Sequence, residues 1–361
     1  MHTAVDGSFW GGQERGVASA TRRLWSAFLK RMPARRTTIF APCSSKAGVP
    51  GATLVPVGPL RGATRFVWQQ CVLPRYIREL EVDLLHCPCY TAPLAVTCRL
   101  LVSVHDLIAM THPRLAGWKN SLHLRMLVGR TVRRADAVCV PTEVVRRAVV
   151  ERFAVPAAKV FVVPWGADAD LTPMSREDAA RHVRRSFEVD EPFILTCGCL
   201  EAKKNLGAAI EACAEAGILL LMAGPSVSGS AAVLSQAARG VAGRWSYLGY
   251  VTTADLSALY SAAAALVFPS YVEGFGLPAI EAMRCGCPVV ASDDPALREV
   301  CGGAAIHVPC RDTRALASAV RSVANDRTLG EHLRGLGLIR AAHFSWEAAG
   351  CRFAEALHYA E

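Results

Sequence analysis

The chain has 361 residues, 52% hydrophobic and 20% charged, with 28 glycines and 20 prolines, which excludes a disordered, collagen-like or coiled-coil protein. That length suggests two domains, each able to bury its own core. The formal charge of +9 is lopsided: residues 1–170 carry 23 basic and 11 acidic side chains, residues 171–361 carry 17 and 20, so the two halves are expected to meet different partners.

Continuous Val/Ile/Leu-rich runs mark strands buried on both faces. In chain order they are Thr38–Ala41, Leu54–Val57, Leu84–His86, Leu100–Val104, Ala137–Val140 and Val160–Val163. A second series follows at Phe193–Thr196, Ile218–Met222, Trp245–Leu248, Ala264–Phe268, Pro288–Ala291 and Ala304–His307. Helical periodicity falls between them, at Val17–Arg31, Ser121–Arg134, Glu143–Phe153, Asn205–Glu215, Ala254–Ala262 and Pro278–Arg284. Strand and helix in alternation predict an α/β chain of two doubly wound parallel-sheet domains with right-handed crossovers. The expected division is 1–165, a polar linker at 166–190, and 191–340, with the last helix, 346–359, packing back on the first domain. Ligands of such sheets bind beyond the carboxyl ends of the strands, and two such domains facing a central cleft suit a small-molecule enzyme.

No run of 18 apolar residues occurs, and Met1–Gln13 lacks the basic-then-apolar pattern of a signal peptide, so a cytoplasmic protein is expected. The fourteen cysteines include Cys87-Pro-Cys89 and two Cys-Gly-Cys triplets, Cys197–Cys199 and Cys285–Cys287. These spacings are tighter than zinc sites prefer, and the thiols read as small buried hydrophobes.

The segment Phe268–Glu281 is the richest in chemistry. A buried strand ends at Pro269, Gly274 and Gly276 open a loop, and Pro278 suits the first turn of a helix. Free backbone N–H groups and a helix N-terminus at a sheet's carboxyl edge bind phosphate. Glu273 in the loop and Glu281 in the helix's first turn should point at the same crevice and, beside a phosphate, contact neutral hydroxyls. A βα turn with an acidic residue near the helix start accounts for Glu281. It does not account for Glu273 or for glycines on both sides of Phe275. The segment Ile194–Asn205 repeats strand, loop and helix, with Lys203 and Lys204 as candidate diphosphate ligands.

Leu200-Glu-Ala-Lys-Lys-Asn-Leu206, Leu248-Gly-Tyr-Val251, Glu273-Gly-Phe-Gly-Leu-Pro-Ala-Ile-Glu281 and the following Ala282–Ser292 resemble the donor-domain motifs of retaining family 4 glycosyltransferases of GT-B fold. Val104-His-Asp-Leu107, His86-Cys-Pro, Ala135–Thr142 and Val162–Asp168 extend the resemblance over most of the chain, from Val5 to about Trp346. The resemblance implies two Rossmann-like domains, the first binding acceptor and the second a nucleotide sugar such as a GDP- or UDP-hexose. It implies that Glu281 holds the donor ribose and Glu273 the donor sugar. Phe275, Gly276 and Leu277, with Gly274, offer backbone groups; Lys204 and Lys203 bind the diphosphate. His105 contacts the sugar near its anomeric centre, Gly249 lies near the nucleobase, and Gly16 belongs to the N-terminal phosphate loop. Neither metal nor other cofactor is implied. The chain departs from the family pattern at Ala18, Cys199 and Trp165.

His86 reads as acceptor-side lining or structure, Asp168-Ala-Asp170 as linker rather than a metal motif, and Ser292-Asp293-Asp294 as an unassigned loop. Basic residues interleave with aromatics at 17–31 and 61–78, which suits either an anionic bilayer or ordinary amphipathic helices. No motif that reads RNA or DNA is present, so nucleic acid is not expected. The expected function is transfer of a mannose- or glucose-type hexose to a glycan or lipid-linked acceptor in cell-surface polysaccharide synthesis, with peripheral association at the inner face of the cytoplasmic membrane as a further expectation. A GT-B sugar-nucleotide epimerase and a non-catalytic nucleotide-sugar-binding subunit are the alternatives.

Overall fold

The computed structural model describes residues 1–10, 16–42, 48–58, 60, 62–116, 118–226, 230–237, 239 and 244–361. The chain forms two compact units: Met1–Gly166 with Trp346–Glu361, and Ala167–Ser345.

The first unit is a parallel seven-stranded sheet ordered β3-β2-β1-β4-β5-β6-β7. Its strands are β1 (His2–Asp6), β2 (Arg36–Pro42), β3 (Thr53–Val57), β4 (Leu84–Cys87), β5 (Arg99–Ser103), β6 (Ala137–Val140) and β7 (Val160–Val162). The apolar runs predicted six of them. β1 was not among them, although it lies inside the sheet, paired with β2 and β4. Every residue of β1 is buried, but three of the five are polar. They tolerate burial because distant partners satisfy them: His2 bonds Leu80 O (2.9 Å) and Thr38 Oγ1 (2.8 Å), and its N–H donates to Asp83 (2.7 Å).

Trp25 and Phe28, from the helix Val17–Arg31, are buried and meet Phe353 of the helix Trp346–Ala360 edge to face, at 5.2 and 5.7 Å between centroids. Trp68 is buried as well. These aromatics of the two segments weighed for bilayer contact therefore lie in the core, while Lys30 and Arg31 are exposed; Arg61 lies outside the described residues.

Beneath them runs a polar chain. The Trp25 indole N–H donates to His86 Nδ1 (2.9 Å), so His86 carries its proton on Nε2 and donates to Ser103 Oγ (2.9 Å). His86 is thus a structural residue. Burial, with His105 nearby, lowers its pKa from 6.5 to about 3. The unfolded chain consequently binds more protons between these values, and stability rises with pH across that window. Urea midpoints should fall as pH drops from 7 to 5, and less steeply in His86→Asn; equal slopes in the two proteins would remove His86 as the cause.

The second unit is a parallel six-stranded sheet ordered β10-β9-β8-β11-β12-β13. It comprises β8 (Phe193–Cys197), β9 (Leu219–Ala223), β10 (Trp245–Gly249), β11 (Ala265–Phe268), β12 (Val289–Ser292) and β13 (Ala305–Val308). The span expected as linker contains a helix, Arg176–Phe187, that packs on Thr253–Ala262 through His182 Nε2 and Asp255 Oδ1 (2.8 Å). It buries only Ala179 and Val183, which is why its sequence reads as polar connector. The order reverses between β8 and β11, the position where doubly wound sheets bind ligands. No helix among the described residues is long and apolar enough to cross a membrane.

Candidate active site

The two segments singled out by sequence are the loops leaving β8 and β11, one on each side of that reversal. After β8 the backbone passes through Gly198 at φ +126°. An added Cβ there would stand 3.7 Å from Lys204 Cε and 4.0 Å from Pro278 Cγ, so the lysine loop and the helix start are neighbours. Lys203 and Lys204 end a short turn, and Asn205, left-handed at φ +52°, redirects the chain into the helix Leu206–Ala216. The Asn205 side chain fixes that bend by donating to Cys310 O (2.9 Å).

Lys204 Nζ lies 2.6 Å from Glu273 Oε1 and 4.4 Å from the Phe268 ring centre. Lys203 Nζ is 3.9 Å from Glu273 Oε2 and 3.6 Å from Glu201. Burial alone would raise the Glu273 pKa, but the Lys204 and Lys203 ammonium groups hold it below the usual range. Glu273 is therefore an anion at neutral pH, and the two lysines are cations gathered on it at the sheet's edge. The main chain adds a second link, because Lys203 O accepts from Tyr271 N–H (2.8 Å).

Gly276 opens the helix Leu277–Arg284 at φ +92°, with Pro278 in its first turn and no side chain capping it. Phe275 is buried and packs edge to face on Phe344 at 5.6 Å, so its side chain is committed to the core and only its backbone is on offer. Glu281 is not in the first turn as expected. The helix begins at Leu277, which places Glu281 one turn further on. Its side chain still projects back toward the N-terminus, as helical side chains do. Buried Tyr260 and Cys285 lie within its electrostatic reach.

Sequence reasoning missed the braces of this loop. Ser292 Oγ donates to Ser270 O (2.6 Å), and Asp294 accepts from Ala296 and Leu297 N–H groups and from the Glu273 backbone. Burial raises Asp294 to about 6. Asp294-Pro295 was itself a helix-start signal that could have found it. Gly249 closes β10 at φ +72°, and its carbonyl accepts from Gly224 N–H (2.8 Å). In the Cys-Gly-Cys triplets Cys197, Cys285 and Cys287 are buried, and among the described residues no group of three His, Cys, Asp or Glu side chains is placed to hold a metal ion.

His105 and Gly16 belong to the first unit. His105, just past β5, bonds Pro88 O through Nε2 (2.6 Å). A carbonyl only accepts, so Nε2 bears the proton and Nδ1 is the ring's acceptor. Burial lowers its pKa, outweighing the Pro88 carbonyl and Asp106, and keeps it neutral. Trp165, the departure from the family pattern, packs on this ring at 5.2 Å, with Tyr90 at 5.6 Å on edge. Tyr90 donates to Asp106 Oδ2 (2.9 Å). Gly16 starts the helix Val17–Arg31 at φ +64°, and an added Cβ would meet open space. Ala18, where the family has glycine, is partly buried against the core. Beyond β1, Asp6 accepts from Ser8 N–H (3.1 Å) and Gln69 Nε2 (2.7 Å), and Arg65 donates to Ser8 Oγ (3.2 Å). Arg65, in a segment whose sequence suits either a bilayer or an ordinary amphipathic helix, therefore sits at the sheet's carboxyl edge.

Two parallel, doubly wound units with a glycine-and-lysine edge at the β8/β11 reversal define a GT-B glycosyltransferase. Residues 10–171 match the Glycosyltransferase Family 4 model and residues 179–335 the Glycosyl transferases group 1 model; the chain belongs to family 4. O-antigen chain mannosyltransferase B of Escherichia coli is 28% identical over 278 residues, 75% of this chain and 73% of that protein. The serotype-specific mannosyltransferase WbdA of Escherichia coli is 28% identical over 255 residues, and the match spans only 31% of that protein. Among solved structures, sucrose-phosphate synthase of Thermosynechococcus elongatus superposes with TM-score 0.77 at 21% identity, covering 99% of this chain and 98% of that one. Anabaena HepE in complex with UDP and glucose gives TM-score 0.77 at 18% identity, covering 99% and 100%. At these identities the likeness is one of fold.

Proposed function

We propose that the protein is a retaining, metal-independent hexosyltransferase that moves a mannose- or glucose-type sugar from a GDP- or UDP-sugar to a glycan or lipid-linked acceptor in cell-surface polysaccharide synthesis. The observation that carries this reading is the pair of lysines gathered on buried Glu273 beside the uncapped helix start at Gly276. The names of the O-antigen mannosyltransferase and of the HepE complex with UDP and glucose support the sugar class and the nucleotide.

In this reading the donor diphosphate lies against Lys203, Lys204 and the backbone of Gly276 and Leu277 at the helix start. Positive charge fixed there before the reaction stabilises the departing nucleoside diphosphate, so no metal is needed for that task. Glu273, held as an anion, accepts from donor-sugar hydroxyls, and Glu281 accepts from the ribose. His105, neutral with Nδ1 as acceptor, takes a hydrogen bond from a sugar hydroxyl. Gly249 lies by the base, and Gly16 offers backbone to phosphate. The acceptor hydroxyl attacks on the face the phosphate leaves, and a donor phosphate oxygen takes its proton. Peripheral contact with an anionic membrane from the cytoplasmic side rests on the exposed basic residues at 17–31 and 61–78 together with exposed Phe66 and Val67.

Thermal shift with GDP- and UDP-sugars tests the donor half. The matching sugar nucleotide should raise the melting temperature, and Glu281→Ala should weaken it about tenfold, the loss of a hydrogen bond to a charged group. If no nucleotide sugar stabilises the protein, the proposal fails. Anomeric configuration of the product, and activity with a chelator present, test retention and metal independence.

A further inference from the structure

A cavity of about 620 Å³ opens in the first unit between the helices Ile108–Thr111, Trp118–Arg134 and Glu143–Phe153. Met110, Gly129 and Phe153 line it together with three guanidinium groups, Arg125, Arg133 and Arg152. Among the described residues no carboxylate lines it. None of the residues proposed above for sugar transfer lines it either, and it lies outside both basic segments noted in the sequence.

Two of the three arginines are held by carbonyls. Arg125 Nη2 donates to Met110 O (3.1 Å), and Arg133 Nε donates to Phe153 O (3.2 Å). These neutral anchors fix the direction of both forks without cancelling their charge, and the remaining N–H groups suit the oxygens of a phosphate. Three like charges around one cavity repel each other, and an anion bound among them relieves that repulsion.

Gly129 adds a second observation. Glycine is unfavourable in the interior of a helix relative to alanine. Here an added Cβ would stand 3.4 Å from the Phe153 ring and 3.5 Å from Arg133 Nη1, taking space from the floor of the cavity. Glycine thus keeps open a space whose floor is apolar and whose rim is cationic. The volume lies in the range of small-molecule sites and exceeds what a bare phosphate would fill.

We infer that this cavity is a binding site for a phosphorylated organic anion, its phosphate on Arg125, Arg133 and Arg152 and its carbon body on Met110 and Phe153. A lipid headgroup and a soluble phosphate ester share that chemistry. Calorimetric titration of the full chain with sn-glycerol 3-phosphate tests the soluble source. Co-sedimentation with phosphatidylcholine vesicles containing phosphatidic acid, against phosphatidylcholine alone, tests the lipid source. Arg125 and Arg152 are exposed, so Arg125→Gln with Arg152→Gln leaves the fold intact.

The expected result is binding in at least one arm, weakened about tenfold or more in the double variant. Gly129→Ala should weaken the soluble ester while leaving the melting temperature unchanged or higher. Phosphate groups bound by the lysines of the second unit contribute equally to wild type and variant, so the difference between them reads the cavity alone. Binding in neither arm, or binding untouched by the double substitution, overturns the inference. Binding of vesicles alone assigns the site to a headgroup, and binding of the soluble ester assigns it to a free metabolite.

Discussion

Lys204→Ala lowers kcat/KM by about 10²–10³-fold, the range seen when one preorganised donor to a developing oxyanion is removed. Lys204 Nζ is the cation nearest Glu273, at 2.6 Å, against 3.9 Å for Lys203, and it lies over the Phe268 ring at the β11 edge. On the proposed reading its loss removes charge where the diphosphate departs; it also strips Glu273 of its main partner. Glu273 is only 8% exposed. Breaking a buried pair costs about 3–5 kcal/mol, and Lys203 holds the expected cost to the lower end of that range.

The sign of the pH effect follows from the direction of the shift. Glu273 is held below its ordinary pKa of 4.5 in the folded protein. Its contribution to stability is complete above the unfolded value and is lost as pH falls through the folded one. In Lys204→Ala burial dominates and the carboxyl pKa rises above its unfolded value, so the variant's loss of stability is largest near pH 7 and shrinks as pH falls toward 4. Nucleotide release measured with saturating acceptor, together with urea midpoints between pH 7 and 4, reads both effects. A variant with wild-type kcat/KM would remove Lys204 from the reaction.

Gly224→Ala unfolds the second unit more readily, by about 2–5 kcal/mol, combining the strain of a positive φ with that of overpacking. Gly224 has φ +151°, and an added Cβ would sit 1.9 Å from Gly198 O and 2.6 Å from Gly198 C. These are backbone atoms and have no rotamer to escape into. Hydrogen bonds from Gly198 N–H to Ala223 O (2.9 Å) and from Gly224 N–H to Gly249 O (2.8 Å) tie the loops after β8, β9 and β10 together, so neither backbone yields cheaply. The melting temperature should fall by about 5–15 °C. Donor affinity should fall too, because Gly198 abuts the Lys204 side chain. Gly303→Ala, with nothing within 4 Å of its added Cβ and no positive φ, is the matched control and should melt near wild type.

Much of the architecture was legible in the amino acids themselves. Strands such as β9 and β11 are buried on both faces, so their side chains are apolar without interruption and announce themselves locally. The loop at Gly274–Pro278 was legible for the same reason: a left-handed glycine and a first-turn proline are local demands of the backbone. The basic excess of the first half was legible as a sum, but not as a place. Arg65 turned out to lie at the sheet edge beside Ser8, and three other arginines line a cavity behind Met110.

What stayed hidden depends on partners far along the chain. β1 is polar at three of five positions, and its burial is tolerable because Thr38, Leu80 and Asp83 satisfy His2, Arg35 satisfies Thr3 and Gln69 satisfies Asp6. Trp165 has no local reason to matter until it meets the His105 ring sixty residues away in sequence. Glu273 and Glu281 form a motif on paper, but the buried ion pair joins Glu273 to Lys204, across the β8/β11 reversal. Which segments are strands and where the phosphate-type loops lie could be read from the chain alone, because these follow from periodicity and backbone conformation, and the family resemblance could be read from its motifs. Only the tertiary structure decided which charges meet, which histidine is an acceptor and which glycines lack room for a Cβ, because burial and electrostatics depend on neighbours that chain order does not reveal.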